Sequence, residues 1–185
     1  MNHLEIEYKT LLDKDEYQSL LPLFTDTELV VQTNHYIDTP DQLIRQEKMA
    51  LRVRTFTNQA ELTLKVPETV GHFEYNQNLS QEETKAILQN KEFPDGEIKN
   101  LLESKGIPVE QLVVWGSLTT ERFEKETAAG LVALDHSLYL DTEDYELEIE
   151  VETAEQEENF HQFISDHGIV YKAAKNKIAR LAERL

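Results

Sequence analysis

Cysteine is absent from this chain of 185 residues, which excludes disulfide bonds and thiolate metal sites. No run of about 18 apolar residues occurs, so a transmembrane helix is not expected. The first residues, from Met1 to Glu5, become acidic at once and lack the basic segment and apolar stretch of a signal peptide. The missing cysteines and the missing signal together favour a cytoplasmic location.

Positive charge is also scarce, because 18 Lys and Arg residues face 36 Asp and Glu residues and give a net charge of −18. Such a chain repels nucleic-acid phosphates at long range, so neither a DNA nor an RNA duplex is expected as a partner. We expect no membrane partner either. The sequence leaves the oligomeric state open, a dimer included.

Linkers rich in glycine, serine or proline, low-complexity tracts and fixed-period repeats are all missing, so we predict a single domain over residues 1–185. Hydrophobic residues make up 39% of the chain, which is enough to bury a core. Strands are predicted at 4–11, 28–38, 50–57, 59–66 and 72–79, within 111–140 with a break near Ala129 and Gly130, and at 145–153 after a turn at Glu143 and Asp144.

Short helices are predicted between these strands, and the capping residues fix where several of them begin. The predicted helices cover 14–21 after Asp13, 42–47, the segment from the Ser80–Glu83 capping box to about Lys91, the segment from Asp95 or Gly96 to Lys105, 155–167 and 175–185. Strands in hairpin order pair antiparallel, so the fold class is predicted as α+β with about eight antiparallel strands.

Four of these strands alternate apolar and charged residues with a period of two. Side chains two apart share one face of a strand, so each of the four has an apolar face and a charged face. An antiparallel sheet with one solvated side gives the same pattern by default. The charged positions are Glu5, Glu7 and Lys9; Arg52 and Arg54; Lys65; and Glu146, Glu148, Glu150 and Glu152.

Two of the charged faces carry charge of only one sign, which the default pattern does not explain. Glu146, Glu148 and Glu150 repel one another unless positive charge lies among them, and Arg52 and Arg54 need an anion for the same reason. A closed barrel with its charged faces inward and helices over its apolar faces meets both needs. Such a channel suits a divalent metal on the carboxylates and a polyphosphate on the cations.

The Glu-x-Glu-x-Lys segment at Glu5, Glu7 and Lys9 resembles the signature of the CYTH superfamily, the triphosphate tunnel metalloenzymes. The further matching segments are Leu-Arg-Val-Arg at 51–54, Leu-Thr-Leu-Lys at 62–65, Leu-Asp at 134–135 and Glu-Leu-Glu-Ile-Glu at 146–150. Among the branches, the chain is most similar to the stand-alone, YjbK-like CYTH-domain proteins of Firmicutes. The resemblance implies an eight-stranded antiparallel β tunnel, a small-molecule triphosphate as ligand, and Mg²⁺ or Mn²⁺ as cofactor.

The resemblance also implies a role for individual residues. The metal would be held by Glu5, Glu7, Glu146, Glu148 and Glu150. Catalysis falls to Glu5, Glu7 and Lys9. Substrate binding falls to Lys9, Arg52, Arg54, Lys65, Glu74, Arg122, Asp135 and Lys177.

Two positions depart from the pattern, since Thr120 and Ala133 stand where relatives carry basic residues. This weakens the expected hold on a highly charged substrate. A metal-dependent triphosphatase is the first interpretation, with inorganic tripolyphosphate or an organic triphosphate as substrate. The alternatives are a nucleotide- or polyphosphate-binding module without turnover and a class IV-type adenylate cyclase, which the tunnel motifs do not separate.

Overall fold

Eight antiparallel strands form a closed barrel in the computed structural model, which describes residues 1–90 and 92–185. The order around the barrel is β1-β5-β4-β3-β2-β6-β7-β8, and the expected α+β fold class is confirmed. The strands are β1 His3–Leu12, β2 Val30–Asp38, β3 Ala50–Thr55, β4 Ala60–Pro67, β5 His72–Leu79, β6 Val113–Thr127, β7 Gly130–Tyr139 and β8 Thr142–Val151.

The described residues also form six α-helices, which lie in the predicted segments. They are α1 Lys14–Leu20, α2 Leu43–Gln46, α3 Gln81–Leu88, α4 Glu97–Ser104, α5 Glu157–Asp166 and α6 Lys177–Glu183. None of these helices is both long and apolar enough to cross a membrane. The cytoplasmic location stays a prediction.

The chain packs as two compact units. The first unit comprises Met1–Leu4, Gln32–Leu118 and Leu185, and the second comprises Glu5–Val31 and Thr119–Arg184. A single domain over residues 1–185 stays a prediction.

The core of the first unit lies between its strands and the helices α2, α3 and α4. The apolar residues of β3 and β4 point to this side, as their alternation requires. Burial of this side leaves Arg52, Arg54 and Lys65 on the opposite face of the same strands. The buried core residues include Ile37, Leu51, Val53, Leu62 and Leu64 from the strands and Ile44, Ile87, Ile98 and Leu102 from the helices.

The second unit repeats this arrangement with β1, β7 and β8 beneath α1 and α5. Its charged residues on β1 and β8 consequently face away from α1 and α5, toward the inside of the barrel. The buried core residues include Ile6, Val132, Leu134, Leu147 and Ile149 from the strands and Leu20, Phe24, Phe160 and Ile164 from the helical segments.

Two helices begin with capping boxes in the structure, one at the predicted cap Asp13 and one at the predicted capping box Ser80–Glu83. Asp13 accepts from Glu16 N at 2.8 Å while the Glu16 carboxylate accepts from Asp13 N, and the Ser80–Glu83 pair does the same for α3. Helix α1 ends at Leu20, and the chain continues through Pro22 as a 3₁₀ turn over Leu21–Phe24. The structure ends α3 at Leu88, and the predicted end near Lys91 lies outside the described residues.

The predicted turn at Glu143 and Asp144 is wrong. The β7–β8 hairpin turns at Leu140 and Asp141, with Leu140 at φ 53°, and pairs Tyr139 with Thr142. A cluster of acidic residues resembles a turn in sequence, but the Asp144 carboxylate accepts a hydrogen bond from the Tyr139 hydroxyl at 2.7 Å within the ladder.

A buried carboxylate connects β2 to α2 in the first unit. Asp38 Oδ1 accepts from Ile44 N at 2.9 Å and from Thr39 N at 2.8 Å. Its Oδ2 accepts from Arg45 N at 3.1 Å. The bonds from Ile44 N and Arg45 N satisfy backbone donors at the start of α2 that have no partner within the helix.

Replacing this carboxylate should destabilise the fold. We expect Asp38→Ala to lower the free energy of unfolding by about 3 kcal/mol, because hydrogen bonds to a charged group contribute roughly 1.5–3 kcal/mol and buried donors would be left without an acceptor. Asp38→Asn should lower the free energy of unfolding by about half as much, because the amide oxygen can still accept some of these hydrogen bonds. Urea unfolding measures both, with the exposed Asp41→Ala as control, and equal stability of all three variants would contradict the expectation.

Candidate functional site

Three cations share the inner face of the first unit, and we call Arg52, Arg54 and Lys65 the basic cluster. Arg52 and Arg54 lie on β3, and Lys65 lies on the adjacent strand β4. All three alternate with the core residues described above. Glu74 on β5 lies directly opposite Lys65 in the register.

The contacts that Arg52 and Lys65 of the basic cluster make with Glu74 are long. Arg52 Nη2 lies 4.0 Å and Lys65 Nζ lies 3.8 Å from Glu74 Oε2, beyond hydrogen-bonding distance. Within the described part of the chain, Arg52 Nε is buried and has no hydrogen-bond partner. Such a buried donor costs free energy unless an acceptor reaches it. The face therefore suits an added anion.

On the inner face of the second unit, β1 presents Glu5, Glu7 and Lys9, and β8 lies beside it. The register pairs Glu7 with Glu150 and Lys9 with Glu148. Lys9 Nζ lies 3.1 Å from Glu7 Oε1 and 4.0 Å from Glu148 Oε1. Burial lowers the pKa of Lys9, but the surrounding glutamates outweigh it, so the net pKa is raised and Lys9 stays protonated.

Deeper in the second unit lies the carboxylate network, formed by Asp135, Glu146, Glu148, Lys177 and Arg122. Lys177 Nζ lies 2.8 Å from Asp135, 2.7 Å from Glu146 and 2.6 Å from Glu148. Arg122 binds both oxygens of Asp135, at 2.7 and 2.6 Å, and also Glu148 Oε2 at 3.0 Å. The structure thus brings together four residues predicted to bind substrate or metal on β6, β7 and β8 with Lys177 from α6.

Arg180 belongs to this network and was missed by the sequence analysis. It is 9% exposed, and its Nη1 donates to Glu146 Oε2 at 2.6 Å. Its Nε lies 3.0 Å from Asp144 Oδ2. Arg180 lies three residues after Lys177, so the two cations share one face of the helix. This spacing could have identified Arg180 from the sequence.

The carboxylates of the network differ in their affinity for protons. Burial alone raises every carboxyl pKa, but Arg122 and Lys177 hold the pKa of Asp135 below its ordinary value, and Lys177 and Arg122 hold that of Glu148 well below. For Glu146, burial and the neighbouring Glu148 outweigh Lys177 and raise the pKa to about 7. Glu146 is therefore the first of the three to take up a proton.

The two sets of acidic residues in the second unit suit a metal to different degrees. Oxygens of Asp135, Glu146 and Glu148 all lie within 4.8 Å of one another, as metal ligands would, but Lys177 already supplies the cation there. Glu7 and Glu150 are directly opposite each other on neighbouring strands, so their Cβ atoms lie roughly 5 Å apart. Lys9 contacts only one oxygen of Glu7, whereas both oxygens of Glu146 and of Glu148 are engaged by cations. Carboxylate oxygens are the donors that hard divalent cations prefer, so Glu7 and Glu150 fit the implied Mg²⁺ or Mn²⁺ better.

The two departures from the family pattern are both buried. Thr120 is 0% exposed and its hydroxyl lies 3.1 Å from that of Ser137. Ala133 is 4% exposed and lies opposite Glu148 in the register. Neither position adds a cation to the second unit.

Removing one carboxylate from the network should destabilise the protein in a pH-dependent way. We expect Asp135→Asn to lower the free energy of unfolding by about 3–5 kcal/mol at neutral pH, since Arg122 and Lys177 would lose a buried partner. The folded state depresses the pKa of Asp135, so its contribution is present above the ordinary value of 3.8 and is lost as the pH falls through the lower folded-state value.

The deficit of Asp135→Asn relative to the unmodified protein should therefore shrink as the pH is lowered below 3.8. Urea unfolding of the two proteins across this range measures it. A deficit that stays constant at every pH would contradict the assignment of a charged Asp135 in the folded state.

Comparison with known proteins places these features in a family. The sequence-family model of the CYTH domain matches residues 3–182 of this chain. A Bacillus subtilis (strain 168) protein named "Putative triphosphatase YjbK" is 37% identical over 183 residues, which cover 97% of this chain and 95% of that protein.

Solved structures share the fold over nearly the whole chain. A Bacillus halodurans protein named "putative adenylate cyclase" superposes with a TM-score of 0.91 at 36% identity, covering 97% of each chain. The Hippeastrum protein HpAC1, named a putative adenylyl cyclase with a dominant triphosphatase activity, superposes with a TM-score of 0.83 at 21% identity, covering 98% of this chain and 96% of that one. With the charged barrel and the matched residues 3–182, these comparisons show that this chain belongs to the CYTH domain family.

Proposed function

We propose that this chain is a metal-dependent hydrolase that cleaves a phosphoanhydride bond of a triphosphate. The observation that carries the proposal is the basic cluster, where Arg52 holds a buried Nε–H without a hydrogen-bond partner among the described residues. The CYTH family membership and the name of the Bacillus subtilis relative support the reaction.

The basic cluster provides the anion-binding part of the proposal. Arg52, Arg54 and Lys65 lie on neighbouring strands of one unit, so the oxygens of a short polyphosphate can contact several of them together. Arg122 and Lys177 differ, because buried carboxylates already surround both. We assign these two cations mainly to positioning Glu148 and Asp135.

The acidic residues of β1 and β8 provide the metal-binding part. Glu7 and Glu150, with Glu5 on the same face of β1, would hold Mg²⁺ or Mn²⁺. A divalent ion bound there supplies neutralisation of phosphate charge and orientation of water. Glu146 and Glu148 fit this role less well, because hydrogen bonds from Lys177, Arg180 and Arg122 already engage their oxygens.

Phosphoryl transfer depends on positioning and on electrostatic stabilisation more than on covalent chemistry. Lys9 stays protonated among its glutamates, so it can donate hydrogen bonds to phosphate oxygens. Glu5 or Glu7 can accept a hydrogen bond from the attacking water and orient it. The products are orthophosphate and the shortened phosphate chain.

A second candidate reaction is cyclisation of a nucleoside triphosphate, favoured by the name of the Bacillus halodurans structure at 36% identity. A third candidate is binding without turnover. Incubation with tripolyphosphate, ATP or thiamine triphosphate and Mg²⁺ or Mn²⁺ distinguishes the three. Orthophosphate release supports the hydrolase, pyrophosphate with a cyclic nucleotide supports the cyclase, and heat protection without products supports a binding module.

The metal-binding assignment predicts a loss of turnover without a loss of fold. We expect Glu7→Gln to lower metal-dependent kcat by roughly 100-fold or more, as is typical when a contact to developing charge is removed. Steady-state phosphate release measures it, and urea unfolding checks the fold. Glu82→Gln, on the exposed surface of α3, is the matched control, and unchanged turnover in Glu7→Gln would refute the assignment.

The anion-binding assignment predicts a change in substrate affinity. We expect Arg52→Gln to raise KM for the triphosphate about 10- to 100-fold, because a hydrogen bond to a charged group contributes roughly 1.5–3 kcal/mol. Lys99→Gln, which removes a cation from α4, should leave KM unchanged. If the two variants have the same KM, the basic cluster does not bind the substrate.

A further inference from the structure

Two large aromatic rings lie next to the basic cluster in the first unit. Tyr36 on β2 stacks on Trp115 of β6 with ring centroids 5.7 Å apart and an interplanar angle of 23°. The β2–β3 register places Tyr36 directly opposite Arg52. The aromatic pair therefore adjoins the cations proposed to bind phosphate.

A hydrogen-bond chain links the same rings to Arg54. Arg54 Nε donates to Asn34 Oδ1 at 2.8 Å, and Asn34 Nδ2 donates to the Tyr36 hydroxyl at 3.5 Å. Asn34 is 1% exposed, so its side chain has little freedom. A single buried amide thus contacts both one cation of the basic cluster and one ring of the aromatic pair.

The helix-covered core does not account for this pair. The core of the first unit takes Ile37 from β2, which points away from Tyr36 because adjacent strand residues face opposite sides. Tyr36 instead shares the inner face with Asn34, Arg52 and Arg54. An aromatic pair on a polar face has stacking surface to offer a ligand.

Burial differs between the two rings. Tyr36 is only 3% exposed, whereas Trp115 is partly exposed. Tyr36 stacks on one side of the indole, and part of the Trp115 side chain remains accessible. A rigidly backed indole is a good platform for a flat ring, because stacking onto it costs little side-chain entropy.

We infer that Trp115 forms a subsite for the aromatic ring of an organic triphosphate, whose phosphates lie on the basic cluster. The inference rests on the proposed function and narrows its substrate class. Inorganic tripolyphosphate has no ring to stack, so it gains nothing from this surface. A triphosphate ester with a heteroaromatic group gains both the phosphate contacts and the stack.

Kinetics of a tryptophan variant test the inference. We expect Trp115→Leu to raise KM for ATP or thiamine triphosphate about tenfold, the effect of losing one ring stack, and to leave KM for tripolyphosphate unchanged. Trp115→Phe should recover most of the loss. Phe73→Leu is the matched control. It breaks the Phe73–Tyr75 aromatic pair, which lies on the face of β5 opposite to Glu74, and it should leave all three KM values unchanged.

Fluorescence gives a second measurement that does not depend on turnover. Trp115 is the only tryptophan of the chain, so its emission reports this subsite alone. In stopped-flow mixing with Mg²⁺, ATP or thiamine triphosphate should change the emission at once, and tripolyphosphate should change it much less.

The possible outcomes separate this inference from the proposed function. If Trp115→Leu changes KM for tripolyphosphate and for the organic triphosphates by the same factor, or changes neither, the subsite is refuted while hydrolysis stands. If none of the three compounds is hydrolysed or bound, both proposals fail. A selective rise in KM for organic triphosphates with intact tripolyphosphate hydrolysis supports both.

Discussion

Carboxylates buried on the inner face of a strand need cations beside them, and Lys177 meets this need for three carboxylates at once. Its ammonium lies within 2.8 Å of Asp135, Glu146 and Glu148. Removing one partner from such a buried group of charges lowers the free energy of unfolding strongly, even where the whole group adds little net stability. The alternation that makes β8 amphipathic therefore requires α6 to pack where it does.

This requirement also explains the contacts around the last helix. Lys177 and Arg180 lie three residues apart and so share one face of α6, and both contact Glu146. Asn176 caps the same helix by accepting from Ala179 N at 2.9 Å. A seven-residue helix is marginal alone, so α6 depends on its tertiary contacts, and these charged contacts are among them.

The two units balance charge differently, and the proposed function follows from this difference. In the second unit, Arg122, Lys177 and Arg180 are engaged by buried carboxylates at hydrogen-bonding distance. In the first unit, Arg52 has only a distant carboxylate at 4.0 Å and a buried Nε without a partner among the described residues. Cations at hydrogen-bonding distance from buried carboxylates have their charge balanced within the fold. A cation whose carboxylate lies 4.0 Å away is better suited to bind an added anion.

The sequence by itself determined the strands, the helix caps at Asp13 and Ser80, and the charged face of each strand, because all of these depend on residues close together along the chain. It misplaced the turn before β8, since Asp144 lies within the β7–β8 ladder and accepts a hydrogen bond from Tyr139 of the neighbouring strand. Only the tertiary structure decided which charges meet. Lys177, Arg180 and Trp115 lie far in sequence from Asp135, Asp144 and Tyr36, and packing alone brings these pairs together. The Glu5 and Glu7 signature identified the family, but the structure shows that Glu146 and Glu148 are already bound by cations, because helix α6 places Lys177 among them.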